Sequence, residues 1–188
     1  NNQGTPPSKP DDSNGNNSAI LAKNGANLTI KNATITTEAD GANGVFSYGG
    51  SATTNNSSSD GTTITISDST ITTTGDNAGG IMTTGGGTTN ASNLTINASG
   101  TSSAAIRSDR GGGTVKVNGG TYTTTGNGSP SIYSTADITV NDATLVAKAS
   151  EGIVIEGANT VTINNCDLTD SNTKLNGQST TYKNTFLY

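Results

Sequence analysis

One spacing constrains this chain more than any other feature. An apolar–x–apolar pattern returns six times: Leu28-Thr29-Ile30, Ile64-Thr65-Ile66, Leu94-Thr95-Ile96, Val115-Lys116-Val117, Ile138-Thr139-Val140 and Val161-Thr162-Ile163. Five residues after the second apolar member comes another, at Ile35, Ile71, Tyr122, Leu145 and Leu168, with Thr101 in that place in the third copy. A third apolar point follows in Val45, Ile81, Ile106, Ile132 and Ile153, and Ile20 precedes the first copy unpaired. The starts are separated by 36, 30, 21, 23 and 23 residues. A strand sends successive side chains to opposite faces, so each short pattern reads as a strand with one buried face. Three such strands in 21–23 residues make one coil of a parallel β-helix. One coil cannot bury its apolar points alone, whereas stacked coils close a continuous narrow core. The expectation is an all-β, single-stranded parallel β-helix (β-solenoid) of about six coils with three short strands per coil. At about 4.8 Å per coil it would be roughly 25–30 Å long.

A thin core explains how so few apolar residues suffice. Of the 188 residues, 29% are hydrophobic, 4% aromatic and 12% charged, and 25 are Gly. This composition excludes a large helical core and a transmembrane span, and no membrane insertion is expected. The absence of His removes a Ser–His–Asp triad, a His-ligated zinc and a His base. The single Cys166 cannot form an internal disulfide, and its register with Ala33, Ser69, Gly120 and Ala143 marks a small corner residue or a reactive thiol. Nine Lys and Arg against fourteen Asp and Glu speak against nucleic acid as partner.

Residues 1–18 carry three of the four Pro and almost nothing apolar, and read as a linker or N-terminal arm before a β-helix domain over 19–188. The longer spacings place insertions at Gly49–Thr62 and Gly85–Asn93, both at one corner of the coil. Gly and Asn suit such corners because a tight turn often needs φ > 0. The start at Asn1 and the apolar finish at Leu175, Tyr182, Phe186, Leu187 and Tyr188 give the expectation of a fragment of a longer helix.

The runs NLTIKNATITT (27–37), TITISDSTITT (63–73) and ADITVNDATLVA (136–147) resemble the right-handed parallel β-helices of the pectin-lyase-like superfamily. The closest likeness is to Thr-, Asn- and Gly-rich adhesin-like proteins of bacterial cell surfaces. The resemblance covers about residues 19–175 and implies a right-handed helix and a secreted or surface location. Enzymes of the superfamily carry calcium-binding carboxylates with a catalytic Arg or Lys, or clustered Asp. No segment here matches such a motif, and no catalytic residue is carried over.

The third strand gathers the candidate ligand-binding residues. If Val45, Ile81, Ile106, Ile132 and Ile153 point inward, then Phe46, Met82, Arg107, Tyr133 and Val154 point outward, followed by Tyr48, Thr84, Asp109, Thr135 and Glu156. Exposed aromatics beside polar groups suit sugar stacking or a protein contact. The competing expectation is a strip covered by the N-terminal arm or by another domain. Asp40 and Asp76 each lie twelve residues after the start of their coil, so stacking would bring the carboxylates onto adjacent rungs. Such a pair would share Ca²⁺, act as an acid, or shape a turn. Arg107-Ser108-Asp109-Arg110 is the densest charge cluster and reads as a corner ion pair. Files of Thr, with Thr34-x-Thr36, Thr70-x-Thr72 and Thr121-x-Thr123, resemble ice-binding faces, or reflect the preference of Thr for strands.

The function these features predict is a non-enzymatic, adhesin-like or structural β-helix segment, extracellular on a bacterial surface or secreted. It would contact glycan or an extracellular protein through Phe46, Tyr48, Met82, Arg107, Asp109, Tyr133 and Glu156. The alternative is a polysaccharide lyase or hydrolase of the same fold, and the third is an ice-binding face.

Overall fold

The computed structural model describes residues 14–50, 59–172 and 186–187. In chain order the strands are β1 (Ile20–Ala22), β2 (Asn27–Lys31), β3 (Thr34–Thr37), β4 (Val45–Tyr48), β5 (Thr63–Ser67) and β6 (Thr70–Thr73). They continue as β7 (Ile81–Thr84), β8 (Gly87–Ala98), β9 (Ile106–Ser108), β10 (Gly113–Thr124), β11 (Ile132–Ser134) and β12 (Asp137–Asn141). The last are β13 (Thr144–Ala147), β14 (Ile153–Ile155), β15 (Val161–Asn164), β16 (Asp167–Asp170) and β17 (Phe186–Leu187). There is no helix among the described residues, and every strand pairing is parallel. The chain is a β-solenoid of about six turns.

The third strands of the coils form one sheet of seven, in the order β1-β4-β7-β9-β11-β14-β17. The first strands stack as β2-β5-β8-β10-β12-β15, and the second strands stack beside them, with β8 and β10 running through both positions. The seven-stranded sheet therefore exceeds the first-strand stack by one strand.

The core is the axial channel that the periodicity predicts. Ile64, Ile66, Ile71, Ile81, Ile96, Ile106, Ile132 and Leu145 are fully buried in one apolar cluster. Each is worth about 1.5–3 kcal/mol of hydrophobic burial. Hydroxyls complete the interior. Thr37 and Thr73 donate to the carbonyls of Ala42 and Ala78 at 2.6 Å, and Thr124 donates to that of Ser129. Ser103 accepts from the Ala78 N–H at 3.0 Å while donating to Gly75 O at 3.1 Å. Bonded in this way, buried Thr and Ser avoid the cost of an unsatisfied polar group.

The third coil corrects the sequence register. Leu94 and Ile96 lie in the second strand, where Leu94 pairs with Gly120 and Ile96 with Ile71 and Tyr122. The first strand of that coil is Thr88–Ser92, with Thr89 opposite Ile64 and Ala91 opposite Ile66. Gly85–Asn93 is therefore mostly strand β8 rather than an insertion, and Thr101 does not occupy the second-strand point. The physical reason is the inward Thr89, whose hydroxyl meets that of Thr83 at 2.8 Å, so this rung needs no second Ile. The corner column is not uniformly small either. Leu94 is fully buried at the level of Ala33 and Ser69, and Gly120 makes room for it, since a Cβ there would lie 2.3 Å from Leu94 O.

Between first and second strands each coil turns through a left-handed residue, Asn32, Asp68, Asn93, Gly119, Asp142 and Asn165, with φ between 50° and 71°, and in the fourth coil Gly120 follows at 101°. Asn, Asp and Gly tolerate that region best. Side chains link the turns along the stack, Asn93 Nδ2 donating to Asp68 Oδ1 at 2.8 Å and Asn165 Nδ2 to Asp142 Oδ1 at 2.6 Å. Residues 1–13 and 51–58, and with them most of the expected arm and part of the Gly49–Thr62 insertion, lie outside the described residues, as do Leu175, Tyr182 and Tyr188.

Candidate functional site

The outward face of the seven-stranded sheet brings the predicted strip into one file, Phe46 pairing with Met82, Met82 with Arg107, Arg107 with Tyr133 and Tyr133 with Val154. Its exposure differs from the expectation. Phe46 and Met82 are buried, at 0% and 2%, and Tyr48 is half-buried. The cover over Phe46 is the turn at residues 14–18: a Cβ on Gly15 would stand 2.5 Å from Phe46 Cγ and 2.8 Å from Leu21 Cδ1. Ser18 N–H closes this turn on Gly15 O at 3.0 Å, and the Ala19 N–H donates to Asn43 O. The chain thus covers one end of its own strip.

The accessible part is the cluster around Arg107 and Tyr133. Alternation on β9 and β11 buries Ile106, Ser108, Ile132 and Ser134 and sends Arg107 and Tyr133 outward. Arg107 Nη2 lies 3.0 Å from Asp109 Oδ2, with side chains 18% and 27% exposed, so the corner ion pair is formed. The guanidinium stands 5.6 Å from the centre of the Tyr133 ring, a cation–π contact. Burial, and then the hydrogen bond to the Glu156 carboxylate, push the Tyr133 phenol well above its ordinary range. A hollow of about 200 Å³ lies beside this pair, lined also by Asn77, Ser102 and Pro130.

A larger cleft of about 880 Å³ opens at the corner after the third strand. Asp109, Arg110, Asp137 and Glu156 supply its charges, and Gly111, Gly112 and Gly113 its wall. The cleft shares Asp109 and Glu156 with the strip. Sequence reasoning singled out the Arg107–Arg110 cluster but not Asp137, whose place on the next tier follows only from the register of β10 with β12.

Asp40 and Asp76 do stack on adjacent tiers, as turn caps. Asp40 Oδ1 accepts the Asp76 N–H at 2.9 Å, and Asp76 Oδ1 accepts the Thr101 N–H at 2.7 Å. Among the described residues no three of His, Cys, Asp and Glu gather closely enough to hold a metal ion. Cys166 faces the axis at the last coil, half-buried, with Sγ 3.4 Å from Val140 O. Glu151, which the pattern did not single out, is fully buried. Its Oε2 accepts from Ser150 Oγ at 2.9 Å and its Oε1 has no partner. The register correction sets Asn90, not Thr95, beside Thr65 on the first strands, and adds Thr95-x-Asn97 beside Thr70-x-Thr72 on the second.

No protein-family model matches this chain, nor does any curated protein or solved structure. No helix of the described residues is long and apolar enough to cross a membrane.

Proposed function

We propose that this chain is a non-enzymatic, adhesin-like display segment of the pectin-lyase-like β-helix type, extracellular and borne on a bacterial surface or secreted. It presents the Arg107–Tyr133 corner and the adjoining cleft to a glycan. The observation that carries the reading is the stacked Arg107–Tyr133 pair beside an open polar cleft on a rigid parallel sheet. Aromatic and guanidinium planes held by strands offer a sugar ring an apolar face and fixed hydrogen-bond donors at small entropic cost. Purified protein on a glycan array tests this: binding should be strong for the parent and lost in Tyr133→Ala and Arg107→Ala. Undiminished binding by both variants refutes the assignment to this corner.

The three carboxylates of the same cleft favour one second reading, a polysaccharide hydrolase or lyase, since paired carboxyls are the acid–base groups of glycoside cleavage. Turnover of pectin, alginate or a neutral glycan, with or without Ca²⁺, would replace the display reading.

A further inference from the structure

We infer that the turn at residues 14–18 is an autoinhibitory strap, and that its release extends the glycan platform from Tyr133 and Arg107 to Phe46; this regulation rests on the glycan-binding reading above. One outward file runs in register through Leu21, Phe46, Met82, Arg107 and Tyr133. Its N-terminal half is apolar, and its C-terminal half carries the stacked pair. Phe46 and Met82 are buried, yet neither belongs to the apolar cluster that fills the axis. A ring on the outer face of a sheet is hidden only by something laid over the coil. For Phe46 that cover is Gly15, itself buried, whose missing side chain lets the backbone sit against the ring.

The cover is weakly fastened. Residues 14–18 make no hydrogen bond to any other described residue, and their one bond, from Ser18 N–H to Gly15 O, is internal. Ser18 Oγ is buried in the closed turn without a partner, a cost that opening to water removes. The parallel ladder begins directly afterwards, with Ala19 N–H on Asn43 O at 3.0 Å and Ile20 N–H on Gly44 O at 3.1 Å. A segment held by apolar contact alone, beside a bonded ladder, opens locally while the ladder stays closed, and the hinge falls between Ser18 and Ala19. The uncovered Phe46 then offers a sugar chain a second stacking face in line with Tyr133. Because the extended platform exists only in the open fraction, closure lowers the apparent affinity by that fraction.

The parent, Ser18→Ala and Gly15→Val are compared by native-state amide exchange and on an array of neutral and acidic oligosaccharides. In the parent, the Ala19 amide should exchange faster than those of Val45 and Ile81, which bond to Gly80 O and Ala105 O within the stack. Ser18→Ala removes the unpartnered hydroxyl, so it should slow exchange at Ala19 and weaken glycan binding by about 5-fold. Gly15→Val should do the reverse, and Phe46→Ala added to it should cancel the gain. An Ala19 amide as slow as Val45 in the parent marks a fixed cap and overturns the strap. Altered exchange in Ser18→Ala or Gly15→Val with unchanged glycan affinity overturns the autoinhibition and leaves the Arg107–Tyr133 display reading standing. If no oligosaccharide binds any of the three proteins, the display reading falls and the autoinhibition with it.

Discussion

Replacing Ile96 by Ala tests the stacked core at its middle. Ile96 is fully buried, with Ile71 on the tier before it and Tyr122 on the tier after. Across the channel it fills the space that Gly80 leaves open: a Cβ on Gly80 would come within 2.4 Å of Ile96 Cγ2. Ladder hydrogen bonds hold the rungs above and below, so the cavity cannot collapse. Ile→Ala costs about 2–5 kcal/mol in cores, and a rigid site belongs near the upper end, at about 4 kcal/mol. For a chain of this size that corresponds to a fall in Tm of roughly 8–16 °C. The control is Ile163→Ala in the last tier, where the side chain is only partly buried, with an expected cost of about 1–2 kcal/mol. Denaturant and thermal unfolding followed by circular dichroism give both numbers. A loss at Ile96 no greater than that at Ile163 would refute a continuous axial core.

Other substitutions probe separate features. Gly100→Ala places a Cβ 1.9 Å from Gly75 O, backbone against backbone, and should cost about 3 kcal/mol or more by thermal unfolding, since the tier must shift. Tyr122→Phe removes the 2.8 Å bond from its hydroxyl to Gly119 O and should cost about 1 kcal/mol in denaturant titration. Burial raises the phenols of both Tyr122 and Tyr133 above the unfolded value, so they stay protonated in the fold while the unfolded chain ionises. Stability should therefore be full below about pH 10 and fall as the pH rises beyond it, less steeply in Tyr122→Phe; a flat profile there contradicts the burial. Gly15→Val should push the 14–18 turn off Phe46, raising hydrophobic-dye binding and amide exchange at Ala19 and Ile20 with the solenoid intact. Unchanged dye binding and exchange would mean that Gly15 does not cover the strip.

The coil was legible in the sequence because its inward positions are mostly Ile, Leu and Val on a two-residue alternation. Ile64, Ile66, Val115, Val117, Ile138 and Val140 fall where that alternation puts them. The third coil was not legible, because Leu94-Thr95-Ile96 copies the first-strand pattern while sitting on the second strand. The true first strand turns Thr89 and Ala91 inward, and only the Thr83 hydroxyl across the channel explains why a Thr is tolerated there. On the strip, alternation placed Phe46 on the outer face correctly. It could not show that a turn thirty residues earlier lies over it, since that contact depends on the bare Cα of Gly15. Arg107 with Asp109 was readable from adjacency and Glu156 from the strip's alternation, whereas Asp137 joins them only through the stacking of β10 on β12.

The unequal sheets bear on how such rods behave when crowded. A second copy set end to end on the same axis would bring its β1 into the slot that β17 already fills. Sliding it outward by one rung relieves that collision but leaves a missing strand beside β15 and β16, with amides and carbonyls facing empty space. Open parallel edges invite fibre growth. Here the one-strand offset among the described strands keeps two such ends from meeting flush on all the strand stacks at once.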